Sequence, residues 1–159
     1  MDVTTWLSVD NDLCSVQRTL DVIGEKWTIQ LIRDAANGVH RFDDFHRHVR
    51  LSEAVLSARL RTLVEHGVFE SREYRDPGQR ARNEYRLTRK GWDLFPVLIA
   101  LMQFGDKYFS DGDGAPWEVR HKTCGRKVRA EVRCTYDHEL LTPRDTKAGP
   151  GPAARAGAE

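Results

Sequence analysis

The sequence predicts a mainly α fold of the α+β class, and three observations predict it. Apolar residues recur at helical spacing through most of residues 13 to 109. The period changes to that of strands over residues 68 to 87, around a loop of turn formers. A shorter strand-like stretch then follows a Gly- and Pro-containing linker near the end of the chain. The 159 residues are 40% hydrophobic and 9% aromatic, which suits one core of ordinary size plus a small appendage. The longest apolar run, Phe95 to Met102, contains Pro96 and falls far short of the roughly 20 residues of a spanning helix. Met1 to Trp6 has no basic stretch leading into an apolar one, so no secretory signal is expected and the expected location is cytoplasmic. Cys14, Cys124 and Cys134 are too few and too scattered for a disulfide framework.

The elements follow in order. Residues 13 to 36 read as a helix in two pieces, with Val16, Leu20 and Ile23 on one stripe, a break at Gly24, and the stripe resumed by Trp27, Leu31 and Ala35 as far as Asn37-Gly38. Phe42, Phe45 and Val49 mark a second helical unit. Ser52 is placed to cap the next helix, which turns Leu56, Leu60, Leu63 and Val64 inward and stops at His66-Gly67. Val68 to Tyr74 and Asn83 to Leu87 are the strands of a hairpin with a basic tip at residues 75–82. Thr88 caps a final long helix running to about Phe109, which Pro96 is expected to kink. Its apolar residues go round more of the helix than one packing face needs, so a second copy of the chain is the expected partner. The chain is expected to divide into a main domain (1–110), a linker (111–116), a small β-ribbon extension (117–145) and a disordered tail (146–159). No internal repeat stands out.

Helix, helix, helix-turn-helix, two-stranded wing, helix is the order of a winged helix domain with a long C-terminal dimerisation helix and a small C-terminal β-ribbon. In such a unit the second helix of the turn enters a major groove and the wing reaches the adjacent backbone. With Leu60 at the centre of the buried face, the 100° step points Ala54, Val55, Ala58, Arg61 and Thr62 outward, with Ser57 and Arg59 at the flanks and Ser52 at the helix start. That face is nearly free of acid, Glu53 excepted. Small side chains there let the backbone approach thymine methyls, and Arg59 or Arg61 can reach a guanine edge or a phosphate. Arg72, Arg75, Arg80 and Arg82 gather on the wing as candidate phosphate contacts. Residues 40–90 hold 12 Lys+Arg against 8 Asp+Glu, a local surplus within a chain whose net charge is only +1. Double-stranded DNA is therefore the expected macromolecular partner. The alternative is a winged helix used only as a protein-interaction module.

Cys14-Ser-Val-Gln-Arg-Thr-Leu-Asp-Val-Ile-Gly-Glu-Lys-Trp27, Leu31-Ile-Arg-Asp34, Arg41-Phe42, Leu56-Ser-Ala-Arg-Leu60, Glu84-Tyr85-Arg-Leu-Thr88 and Gly91 together resemble the HxlR-type regulators, relatives of the MarR group, over about residues 12 to 110. The resemblance implies a homodimeric winged helix transcription factor, usually a repressor, that dimerises through its terminal helices, binds palindromic operators and is released by a small-molecule or redox signal. It also implies an N-terminal sensor cysteine in some members, and Cys14 matches that position. A helix start favours its thiolate, whereas Asp10 and Asp12 oppose it, and a small apolar contact explains the residue equally well.

Trp27, Trp92 and Phe95 are the candidate lining of an effector pocket, with plain core packing as the commoner use of such rings. No Gly-rich phosphate loop, His-Glu-x2-His motif or paired nucleophile and base occurs, so no enzymatic activity is expected. No cofactor is required by the sequence. His121-x2-Cys124 and Cys134-x3-His138 would nonetheless supply two nitrogens and two sulfurs, the donor set of a structural zinc site. Some HxlR-like proteins resemble this extension with both Cys-x2-Cys-like knuckles complete, whereas here the fourth position falls on Asp137 beside His138. An ordinary ribbon with buried thiols is the weightier reading of the two.

Overall fold

The structure is a computed structural model and describes Leu7, Asp12 and residues 14–110, 112 and 114–154. Asp10, two linker positions and the last five residues of the expected tail lie outside that set. The elements are α1 (Ser15–Ile23), α2 (Lys26–Ala36), α3 (Phe42–Val49), α4 (Glu53–Glu65), β1 (Phe69–Tyr74), β2 (Arg82–Leu87), α5 (Arg89–Trp92), α6 (Phe95–Tyr108) and a 3-10 turn at Pro143–Asp145. The chain divides into two compact units, Leu20–Leu98 and Met1–Thr19 with Ile99–Glu159. No helix among the described residues is long and apolar enough to cross a membrane.

The Leu20–Leu98 unit is built around one apolar cluster. Leu31, Ile32 and Ala35 of α2, Phe45 and Val49 of α3, and Leu56, Leu60 and Leu63 of α4 meet Val68 and Phe69 at the start of the hairpin. The Phe45 and Phe69 rings stack 6.3 Å apart. The buried helical positions lie on one face of each helix, so burial of one face per helix accounts for the three-helix arrangement. The α1 stripe behaves differently. Only Ile23 is buried, whereas Val16 and Leu20 are exposed, because α1 meets this core with its last turn alone.

Local chemistry sets the joints. The Ser52 side chain accepts from the Val55 amide at 3.4 Å and opens α4. Gly67, at φ 66°, ends it, with the Val68 amide donating back to the Leu63 carbonyl at 2.9 Å. A left-handed residue is required there, and glycine adopts it without a Cβ penalty. Between α3 and α4 only Arg50, Leu51 and Ser52 remain, which is the short connection of a helix-turn-helix. The buried Asp34 carboxylate clamps α2 to α3, accepting from Arg33 at 2.7 and 2.9 Å and facing His48 Nδ1 at 2.6 Å.

The wing is an antiparallel pair in the register Phe69↔Leu87 to Tyr74↔Arg82. A third segment joins it: Arg41 bridges Glu84, and the Tyr85 amide donates to the His40 carbonyl at 2.8 Å. At its base, Thr88 Oγ1 donates to the Gly67 carbonyl at 2.6 Å and accepts from the Gly91 amide at 3.1 Å. A Cβ on Gly91 would stand 2.3 Å from the Val68 carbonyl oxygen, so α5 reaches this depth only with glycine there.

The expected long helix is in fact two. α5 ends at Trp92, Asp93 and Leu94 form a turn, and Pro96 is the second residue of α6. Its missing amide would have served the Trp92 carbonyl, and in a first turn that donor has no helical partner in any case, so the chain breaks where a kink was expected. Val97, Leu101, Phe104 and Tyr108 are 41, 52, 56 and 58% exposed and follow one another at spacings of four, three and four, a single uncovered apolar stripe.

The extension also departs from expectation. It carries two one-bridge hairpins in tandem, closed by Arg120↔Lys127 and Arg133↔Leu140, where one two-stranded ribbon was expected. The two are copies offset by thirteen residues. Val128 and Leu141 amides donate to Val119 and Val132 carbonyls, both at 2.9 Å, and His121 and Cys134 amides donate to Arg126 and Glu139 carbonyls at 2.8 and 3.0 Å. Arg120 and Arg133 each reach a loop carbonyl, of Gly125 at 2.9 Å and His138 at 3.0 Å, and each pairs with a preceding glutamate, Glu118 or Glu131. An internal repeat is therefore present where none was expected. The identical tripeptides Glu118-Val-Arg and Glu131-Val-Arg are its only obvious trace in the sequence.

Candidate nucleic-acid interface

Two surfaces of the Leu20–Leu98 unit carry the expected contact residues. On α4, Ala54, Val55, Ala58 and Arg61 are exposed, and Ser57, Arg59 and Thr62 are half-buried at the edges, as the 100° step requires. Two of the polar groups are engaged within the helix: Ser52 as its cap, and Thr62 Oγ1 donating to the Ala58 carbonyl at 3.1 Å. The two arginines differ. Arg59 turns back to Glu25 at 3.1 Å, ahead of α2, whereas Arg61 has no hydrogen-bonded or ion-paired partner among the described residues. Burial pushes the Tyr85 phenol of β2 up, and the positive charge of Arg61 opposes that push.

On the wing, the four arginines are not equally available. Arg82 pairs with Asp43 of α3 at 2.7 Å, Arg72 with Glu70, and Arg75 Nε donates to the Gln79 carbonyl at 3.0 Å. Arg80, at the tip, has no such partner among the described residues. Sequence reasoning missed the acids that hold these cations, and it missed Arg41 as a structural residue. Arg41 binds both Asp76 oxygens at 3.1 Å and lies 4.5 Å over the Tyr74 ring, tying the start of α3 to the wing. On β2, the Arg86 guanidinium holds the Glu84 carboxyl below its ordinary range, and the same bond raises Arg86. A cleft of about 280 Å³ between α3 and the wing is lined by Phe42, Asp43, Tyr74, Arg82, Asn83 and Tyr85.

The other sequence-predicted residues are dispersed. Trp27 packs half-buried against the core under the Lys26 ammonium, Trp92 is exposed at the end of α5, and Phe95 opens α6; the cleft described above is lined by none of them. Cys14 is a half-buried free thiol whose carbonyl accepts from the Arg18 amide at the start of α1. In the extension, His121 Nδ1 lies 3.2 Å from the exposed Cys124 Sγ. The Glu139 amide first and then the Cys134 thiol hold the Asp137 carboxyl below its ordinary range. His138 lies in register with Gly125, and both have positive φ, 62° and 68°. Among the described residues no three His, Cys, Asp or Glu side chains converge at metal-binding distance.

Comparison with known proteins agrees with this architecture. The profile of the HxlR-like helix-turn-helix family matches residues 22–113. An HTH-type transcriptional regulator of Mycobacterium tuberculosis is 41% identical over 142 residues, covering 89% of each chain. Among solved structures, PA1607, described as a candidate transcription factor, superposes with a TM-score of 0.78 at 38% identity over 87% of this chain and 96% of its own. The reduced form of the redox regulator HypR superposes with a TM-score of 0.53 at 31% identity, over 58% and 90%.

Proposed function

The chain belongs to the HxlR-like helix-turn-helix family of transcriptional regulators, and from that premise we propose that it binds a palindromic operator as a homodimer and represses transcription. The observation that carries the reading is Arg61, a guanidinium with no ion-paired or hydrogen-bonded partner among the described residues, on an α4 face shared with the small side chains Ala54, Val55 and Ala58. In this reading α4 lies in the major groove, where Arg61 meets a guanine edge or a phosphate and Ala54, Val55 and Ala58 admit the helix to van der Waals contact with thymine methyls. Arg80 and the paired wing arginines meet backbone phosphates. The uncovered α6 stripe supports the dimer, because a two-fold axis through it places the same four side chains against themselves. Release by a small-molecule or redox signal completes the reading, and the likeness to a protein described as a redox regulator supports it.

The test is a gel-shift titration against duplexes tiled upstream of the protein's own gene and its neighbours, at several salt concentrations, beside analytical ultracentrifugation. A salt-dependent, sequence-selective shift from a dimer is expected, with Leu101→Glu giving monomers. Absence of any salt-dependent retention would leave the fold as a protein-interaction module and overturn the proposal. Treatment with peroxide or a quinone is expected to release DNA from the wild type, and equal release from Cys14→Ser would remove Cys14 from the sensing step.

A further inference from the structure

The two sides of α6 have different surroundings. Leu101, Phe104 and Tyr108 belong to the exposed stripe, and the 100° step of a helix puts Ile99, Met102, Gln103 and Asp106 on the opposite side. There α6 faces the first hairpin of the extension across a cleft of about 380 Å³. Its apolar lining is Ile99 and Met102 from the helix and Trp117, Val119 and Val128 from the extension. Gln103 sets the spacing. Its side-chain amide donates to the Ala130 carbonyl at 3.4 Å, and its oxygen accepts from the Ala130 amide. The hairpin is thus pinned to α6 one residue past Arg129, so the fold itself fixes the width of the cleft.

Charge narrows what such a cleft accepts. Lys107, Lys127 and Arg129 line it against Asp106 and Glu118. Glu118 is shared by Lys127 and Arg120, whereas Lys107, 4.9 Å over the Tyr108 ring, and Arg129 have no carboxylate partner among the described residues. Two such cations against the single carboxylate of Asp106, beside an apolar wall, complement a molecule that is apolar over most of its length and carries one negative charge. We propose that the cleft binds an apolar monocarboxylate, its body against Met102, Val119, Val128 and the exposed Trp117 indole and its carboxylate held by Arg129 and Lys107. The volume suits a small organic molecule, and a guanidinium meets a carboxylate through two parallel hydrogen bonds. Ligand and stripe occupy opposite sides of one helix, so binding is coupled to whatever contact the stripe makes. This coupling, unlike the binding, rests on the small-molecule release and the dimer proposed above.

The experiment titrates octanoate and naphthoate, a chain and a planar form of the same chemistry, into the full chain by calorimetry, beside their primary amides and with tryptophan emission followed in parallel. Saturable binding of the acids is expected, at least about tenfold tighter than of the amides, and the tighter acid shows which shape the cleft takes. Arg129→Gln and Trp117→Ala, both at exposed positions, are each expected to weaken it by at least about fivefold. Arg126→Gln, an exposed cation of the same hairpin that does not line the cleft, is expected to leave it unchanged. Absence of saturable binding, equal affinity for acid and amide, or wild-type affinity in Arg129→Gln would overturn the site. An acid that binds yet alters neither operator affinity nor the monomer–dimer equilibrium would overturn the coupling alone, whereas unliganded protein that fails to bind DNA would overturn the function proposed above and leave the site standing.

Discussion

The outward face of α4 and the wing both present arginines, under opposite regimes. On the outward face of α4, Arg61 has no hydrogen-bonded or ion-paired partner among the described residues, and Ala54, Val55 and Ala58 share that face. On the wing, Arg72 and Arg82 are held by carboxylates and Arg75 by a carbonyl, leaving Arg80. In the proposed complex a phosphate would therefore displace a carboxylate at two of the four wing arginines, Arg72 and Arg82. Each exposed pair is itself weak, about 1 kcal/mol or less, so exchange remains open, but it subtracts from sequence-independent attraction. The +1 net charge thus has a local form: carboxylates pair with Arg72 and Arg82 of the wing, whereas none pairs with Arg61 among the described residues.

Four substitutions test this contrast, from the largest expected effect to the smallest. Leu60→Ala, beneath the outward face, is expected to lower stability by about 2–5 kcal/mol in urea unfolding, because the site is fully enclosed. Gly91→Ala at the wing base is expected to cost about 1–3 kcal/mol in the same measurement by pressing a methyl on the Val68 carbonyl; an unaffected midpoint would show that the wing base is not tight. Arg61→Ala, with stability unchanged, is expected to weaken operator binding by about 1–3 kcal/mol and relax discrimination at one base position. Asp43→Asn frees Arg82 and is expected to strengthen non-specific duplex binding slightly and to steepen its salt dependence by no more than about one unit of slope. Equal effects of the last two on specific and non-specific DNA would erase the distinction between the surfaces.

Much of this was legible in the sequence because the signals are local. The 3.6 period located the inward faces of α2, α3 and α4, and Ser52, Gly67 and Thr88 marked joints whose chemistry lies within three or four residues. Long-range electrostatics was not legible: Asp43 and Arg82 are 39 residues apart, and no spacing rule joins them. The exposed Val16 and Leu20 misled because helical period reports an apolar face without saying what covers it. Pro96 was read as a kink because sequence cannot tell a helix interior from a first turn. The repeat is hidden in the sequence because its two copies share hydrogen bonds but only three consecutive identical residues.

Thr88 has a further consequence. Its hydroxyl touches the turn that ends α4, its amide donates to Val68 at the root of β1, and its oxygen receives the first turn of α5. One residue therefore joins the end of α4, the root of β1 and the first turn of α5. If α4 and the wing meet a duplex as proposed, that common joint couples their angle, and a duplex that does not suit the angle has to deform to be bound.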